Sequence, residues 1–115
     1  MKKFIVLYMA PMGTIDEWKK TAPEVREPAE KKMQADWHAW MQAHGSVLGE
    51  TAGLGSTKRV TKDGVADTHN DLMLYSTVEA ESAEAAAKIF EGHPHFGIPG
   101  ATIEVMEANY LPGMH

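Results

Sequence analysis

Phe4-Ile5-Val6-Leu7-Tyr8-Met9 is an unbroken apolar run of strand length, rich in the β-branched and aromatic residues that suit a pleated surface. Side chains alternate along a strand, so Phe4, Val6 and Tyr8 face one way and Ile5, Leu7 and Met9 the other. A sheet built on this strand is apolar front and back. Helices on one side leave the other uncovered, and a soluble monomer rarely leaves a large apolar patch in water. The economical solution is a homodimer, sheet against sheet about a two-fold axis. The alternative is that a short early helix and the C-terminal tail wrap over the open face.

Outward from this strand, Pro11 and Gly13 break the run. Thr14 and Glu17 have capping-box spacing, which predicts a short helix over Ile15 to Lys20, ended by Pro23. Pro28 suits the first turn of the next helix, expected to run to His44 with Gly45 closing it. Met33, Trp37, Trp40, Met41 and His44 form its apolar stripe at 3.6 residues per turn. Ser46 to Glu50 reads as a short strand, with Gly53 and Gly55 permitting sharp bends or close approach. Lys58 to Val65 reads as a hairpin whose tip, Lys62-Asp63-Gly64, supplies a positive φ. Asp67 to Asp71 is a polar connection. Leu72 to Val78 alternates as a strand, with Leu72, Leu74, Ser76 and Val78 opposite Met73, Tyr75 and Thr77. Ser82 can cap a helix with the stripe Ala83, Ala86, Ala87 and Phe90, and Gly92 ends it. Ala101 to Ala108 forms the last strand. The order β-α-β-β-α-β, with one extra helix, predicts an α+β fold of ferredoxin-like type, both helices lying on one face of an antiparallel sheet.

The chain has 115 residues, which suits a single domain over 1–115. With no cysteine, a disulfide framework, a thiol nucleophile and a cysteine zinc site are all excluded. A net charge of −5 argues against a nucleic-acid partner. No apolar run approaches the roughly 20 residues of a membrane span. The first ten residues lack a signal-peptide cleavage site, and a cytoplasmic protein is expected.

Histidine is the main chemical resource: His38, His44, His69, His93, His95 and His115. An extended His93-Pro94-His95 segment would direct both rings to one side, near the C-terminal carbonyls of the preceding helix, whose dipole favours the protonated form. A poised imidazole in a cleft is a general acid or base. The competing reading is that both rings cap the helix end and bond the loop. His44 is expected to donate to a terminal carbonyl, His38 to be solvated, and His69 to lie near Asp71 in a loop. His115 carries no weight. His93 and His95 with His69 and Asp71 offer ligands that zinc or ferrous iron accepts, but no third ligand is set by spacing, so neither metal nor cofactor is assigned. Trp18, Trp37 and Trp40 make a second cluster, with Asp36 bordering the stripe of the last two; they are candidate walls of a small-ligand pocket, although a tryptophan stripe at helical spacing is more often core.

Trp37-His38-Ala39-Trp40-Met41 followed by Gly45, the run Tyr75 to Ala80 leading into Ser82 to Ala85, and His93-Pro94-His95-Phe96 leading into Ile103-Glu104-Val105 together resemble the YCII-related family of small bacterial proteins. The resemblance implies a ferredoxin-like fold paired as a dimeric α+β barrel. It also implies a histidine–aspartate active pair whose histidine lies early in the long helix. Here Gln34 and its neighbours occupy that place, which moves the expectation to His93 or His95. The expected function is therefore an enzyme acting on a small organic molecule between sheet and long helix. In it, His95 is the acid/base, His93 its partner or a hydrogen-bond donor, and Trp37, Trp40, Tyr75 and Asp36 line the ligand. The alternative is a non-catalytic binding or interaction module whose histidines are structural.

Overall fold

The computed structural model describes residues 1–109 and 111–113, so His115 lies outside the described residues. The elements are β1 (Lys2–Met9), α1 (Met12–Lys19), α2 (Pro23–Ala43), β2 (Leu48–Gly53), β3 (Thr57–Thr61), β4 (Gly64–Thr68), β5 (Leu72–Ala80), α3 (Ala83–Ile89) and β6 (Thr102–Glu107). A 3₁₀ turn, Pro94–Gly97, precedes β6. Four strands form one antiparallel sheet in the order β2-β5-β1-β6, the ferredoxin-like arrangement, while β3 and β4 form a separate two-stranded ribbon. The expected α+β class and antiparallel sheet are present.

The central strand behaves as its alternation requires. Phe4, Val6 and Tyr8 are buried and pair across β5 with Val78, Ser76 and Leu74, so these six side chains share one face. Ala86 and Phe90 of α3 are buried there, and Trp37 and Trp40 of α2 pack against the same cluster. Each fully buried large side chain stabilises the fold by about 1.5–3 kcal/mol, which makes this face the main cohesive unit. The small Ala86, 0 % exposed, lets α3 approach the sheet closely. Ile5, Leu7 and Met9 point away from both helices and are only half-buried, as are Tyr75 and Thr77 opposite them on β5.

Several boundaries differ from the expectations. The first helix begins at Met12 with no side-chain cap, so the Thr14–Glu17 capping box does not form; Thr14 lies inside the helix. The long helix begins at Pro23, which takes the N-terminal position expected of Pro28. Pro28 lies in the helix interior, where it lacks a donor. That first half is almost wholly exposed, Val25 included, and the apolar stripe begins only at Met33. β2 starts two residues later than expected because the chain turns first through residues 44–47. Gly53 and Gly55 have open space around their Cα atoms, whereas a Cβ on Gly49 would collide with Thr77 Oγ1. Gly49 sits in the register shift between Leu48 and Thr51, and there the close approach is required. Gly64, at φ +131°, supplies the positive φ of the ribbon turn. Ser82 caps α3 as expected, accepting a 3.1 Å bond from the Ala85 N–H.

Neither segment invoked to wrap the open face does so among the described residues. α1 is tied to α2, through Trp18 Nε1–H to Glu30 at 3.1 Å and Arg26 to the Lys19 carbonyl at 2.8 Å. In the tail, Leu111 is 65 % exposed.

Candidate functional site

Tyr8 on β1, Trp37 and Trp40 on α2, Phe90 at the end of α3 and His93 after it converge between sheet and helices. The His93 ring centroid lies 4.4 Å from Trp37 and 4.3 Å from Trp40, both edge to face, and 5.3 Å from Tyr8. His93 is 2 % exposed and His95 1 %. Both rings lie near Tyr8 and Trp37, but not through an extended segment. Gly92, at φ +71°, turns the chain out of α3, His93 stays extended, and the backbone then tightens into the 3₁₀ turn. His93 acts as the N-cap of that turn, its Nδ1 accepting the His95 main-chain N–H at 2.9 Å. Proline at the next position restricts His93 to the extended backbone a cap needs.

This bond settles the His93 tautomer. An imidazole accepting at Nδ1 carries its hydrogen on Nε2 when neutral. That Nε2 is buried and has no hydrogen-bond partner among the described residues, and the nearest aromatic rings are those of Trp37 and Trp40. An N–H against a π-face is a weak substitute for an oxygen acceptor. The His95 ring is anchored elsewhere, its Nε2–H donating to the Met9 carbonyl at the end of β1 over 2.8 Å.

The expected protonation is reversed. Burial, followed by the neighbouring His95 and His44 rings, lowers the pKa of His93 to about 4. His95 is also lowered by burial, partly opposed by its main-chain bonds to Met9 and Thr102. A helix terminus contributes a fraction of a charge from its solvated end, whereas removing water from a cation costs more, so desolvation wins. Burial likewise raises the Tyr8 pKa, only partly offset by a 2.9 Å hydrogen bond with Ser76 Oγ. Ser76 Oγ bonds Thr51 Oγ1 at 2.7 Å, which makes a chain of three hydroxyls from core to edge strand.

The other candidates lie apart. Asp36 is exposed on α2 and pairs with Lys32 at 2.9 Å, away from the imidazoles. Tyr75 stands opposite Leu7 on β1, on the face turned away from the helices, so it cannot wall a site beneath α2. Trp18 is held by Glu30 and does not join Trp37 and Trp40. His44 donates Nδ1–H to the Trp40 carbonyl at 2.9 Å and stacks on the Trp40 ring, as expected. His38 and His69 are exposed, and Asp71 accepts from the Met12 N–H at 3.3 Å. Gln34 lines a surface groove with Pro28, Glu24 and Glu27, remote from His93. Among the described residues, no group of three or more His, Asp or Glu side chains is placed to hold a metal. The sequence reading missed Tyr8, Ser76 and Phe90. The available signals were a hydroxyl-bearing ring in an otherwise aliphatic run and a serine at a core-facing position of β5.

No family model matches the chain, and neither does any curated protein. Among solved structures it is similar to 5-chloro-2-hydroxyhydroquinone dehydrochlorinase (TftG) from Burkholderia phenoliruptrix AC1100, in complex with 2,5-dihydroxybenzoquinone. The TM-score is 0.58 at 12 % identity, over 96 % of each chain. At this identity the likeness carries the fold alone, the α+β antiparallel arrangement found in dimeric α+β barrels. No described helix is long and apolar enough to cross a membrane.

Proposed function

We propose that this chain is a homodimeric enzyme acting on a small, planar, oxygen-bearing organic molecule held between the sheet and α2, with His93 as the group that touches it. One observation carries the reading: a neutral imidazole, fixed in orientation and packed against Trp37 and Trp40, whose Nε2–H has no acceptor among the described residues. Buried donors are nearly always satisfied, and an exception calls for a partner. A ligand oxygen is a suitable one.

The geometry favours a different division of labour from acid/base catalysis by His95. The His93 Nδ1 lone pair is engaged and its Nε2 already carries hydrogen, so the ring is a donor rather than a base. Aimed at a carbonyl or phenolic oxygen in a dry aromatic setting, it stabilises negative charge developing there. His95 is then a positioning residue, acting through its main-chain N–H and held by Met9. Trp37 and Trp40 lie 4.4 and 4.3 Å from His93, so a planar ring reaches its Nε2–H only as these flat side chains part, and the similar fold was solved with a quinone. Pairing of two copies through the face of Ile5, Leu7, Met9 and Tyr75 is supported by the molecule's 19 Å thickness, enough for a single sheet with one layer of helices.

The test is titration of tryptophan fluorescence with 2,5-dihydroxybenzoquinone, comparing wild type with His93→Phe. Saturable quenching that weakens at least tenfold in the variant is expected. Equal binding by both proteins removes His93 from the site. A second reading, a non-catalytic module, is favoured by His93 Nδ1 and His95 Nε2 both being engaged by main-chain groups. It predicts no saturable quenching and a His93→Phe protein at least as stable as wild type.

A further inference from the structure

We propose that the β3–β4 ribbon is an arm that docks on a second copy of this chain, with Val60 and Val65 as its anchor. The inference rests on the homodimer reading above and extends it from the sheet face to a separate element.

The ribbon belongs to a sheet of its own, joined to the body through residues 54–56 and 69–71. Val60 and Val65 are directly opposed in its register, 74 % and 67 % exposed. Such a pair contributes to a sheet by packing, and here the described residues of its own chain leave most of it uncovered. On the same face, two residues along each strand, Lys58 and Asp67 form an ion pair. The arm therefore presents a small apolar tip beside a charge pair that is already neutralised, a surface that can be desolvated.

Area identifies the occupant. The chain exposes 8087 Å², against roughly 6,200 Å² expected of a compact folded monomer of 12.6 kDa. An excess of roughly 1,900 Å² per chain matches what each partner contributes to an obligate homodimer and exceeds the ~800 Å² of a standard interface. Its radius of gyration of 16.4 Å likewise exceeds the ~13 Å of a compact chain this long. Charge agrees as well. Thr57–Thr68 carries Lys58, Arg59 and Lys62 against Asp63 and Asp67, a basic arm on a chain of net charge −5. The acidic surface it fits is that of another copy.

The chain has no cysteine, so Val60→Cys bears the only thiol and can be labelled with a polarity-sensitive fluorophore. Sedimentation of wild type and of a Val60→Lys/Val65→Lys variant completes the test. The arm reading expects a wild-type dimer, a dimer dissociation constant at least tenfold higher in the double-lysine variant, and label emission that shifts to the red on dilution below the wild-type constant. A wild-type dimer with unchanged association in the variant and concentration-independent emission overturns the arm and leaves the dimer standing. A wild-type monomer overturns both.

Discussion

His93 and His95 are joined through one hydrogen bond, from the His95 main-chain N–H to His93 Nδ1 at 2.9 Å, and this bond determines which ring nitrogen of a neutral His93 carries the hydrogen. It fixes the orientation of the donor, because the opposite nitrogen is then a buried N–H with no acceptor among the described residues.

The lowered pKa of His93 makes the fold sensitive to acid. In the unfolded chain the ring binds a proton near pH 6.5 and in the folded chain near 4. Between these values the unfolded state holds more protons, so stability is complete above pH 6.5 and is lost as the pH falls toward 4. The loss reaches about 3 kcal/mol, with His95 adding in the same direction. Urea denaturation at pH 7 and pH 4.5 checks this, and His93→Phe is expected to flatten most of the difference. A wild-type midpoint constant over that range contradicts the buried neutral ring.

Tyr8→Phe removes the phenolic oxygen but leaves Ser76 its bond to Thr51. Because no buried group is stranded, the expected loss is only about 1 kcal/mol. Ser76→Ala strands the buried Tyr8 hydroxyl and removes the partner of the half-buried Thr51, and is expected to cost more. Chemical denaturation of the two variants side by side decides it, and the reverse ranking rules out the relay.

Gly49→Ala places a methyl group where Thr77 Oγ1 lies, and Thr77 Oγ1 accepts the Glu50 N–H at 3.0 Å. The bond must break or the bulge shift, at an expected cost of about 1–2 kcal/mol. Gly53→Ala, with nothing close to a new Cβ, is expected to be nearly neutral. Thermal melts of both variants measure the contrast.

Ser82→Ala removes the oxygen that accepts the Ala85 N–H, so α3 loses its cap and about 1 kcal/mol. Loss of stability without change in the helix content of the native state is the expected circular-dichroism result. A stability indistinguishable from wild type means the cap is not formed in solution.

Much of the fold was legible because its signals are local. The alternation of Phe4 to Met9, the 3.6-residue stripe from Met33 to His44 and the Ser82 cap each depend on neighbours within a turn or a strand. Boundaries failed where two local signals competed. Pro23 and Pro28 both qualify as helix starters, and the helix begins at the first and absorbs the second. Asp36 and Tyr75 failed as site residues for another reason. Nearness in sequence to Trp37 or to Ser76 does not decide which way a side chain points relative to a third element.

By itself, the sequence determined the order of strands and helices, the two apolar faces of β1 and the helix stripe bearing Trp37 and Trp40, because those follow from periodicity along the backbone. Tertiary structure alone decided that His93 is neutral, with a donor nitrogen that has no partner among the described residues, and that Tyr75 lies across the sheet from it. Charge state and hydrogen-bond satisfaction depend on how much water is excluded and which distant groups close around a ring, and no run of residues encodes that locally.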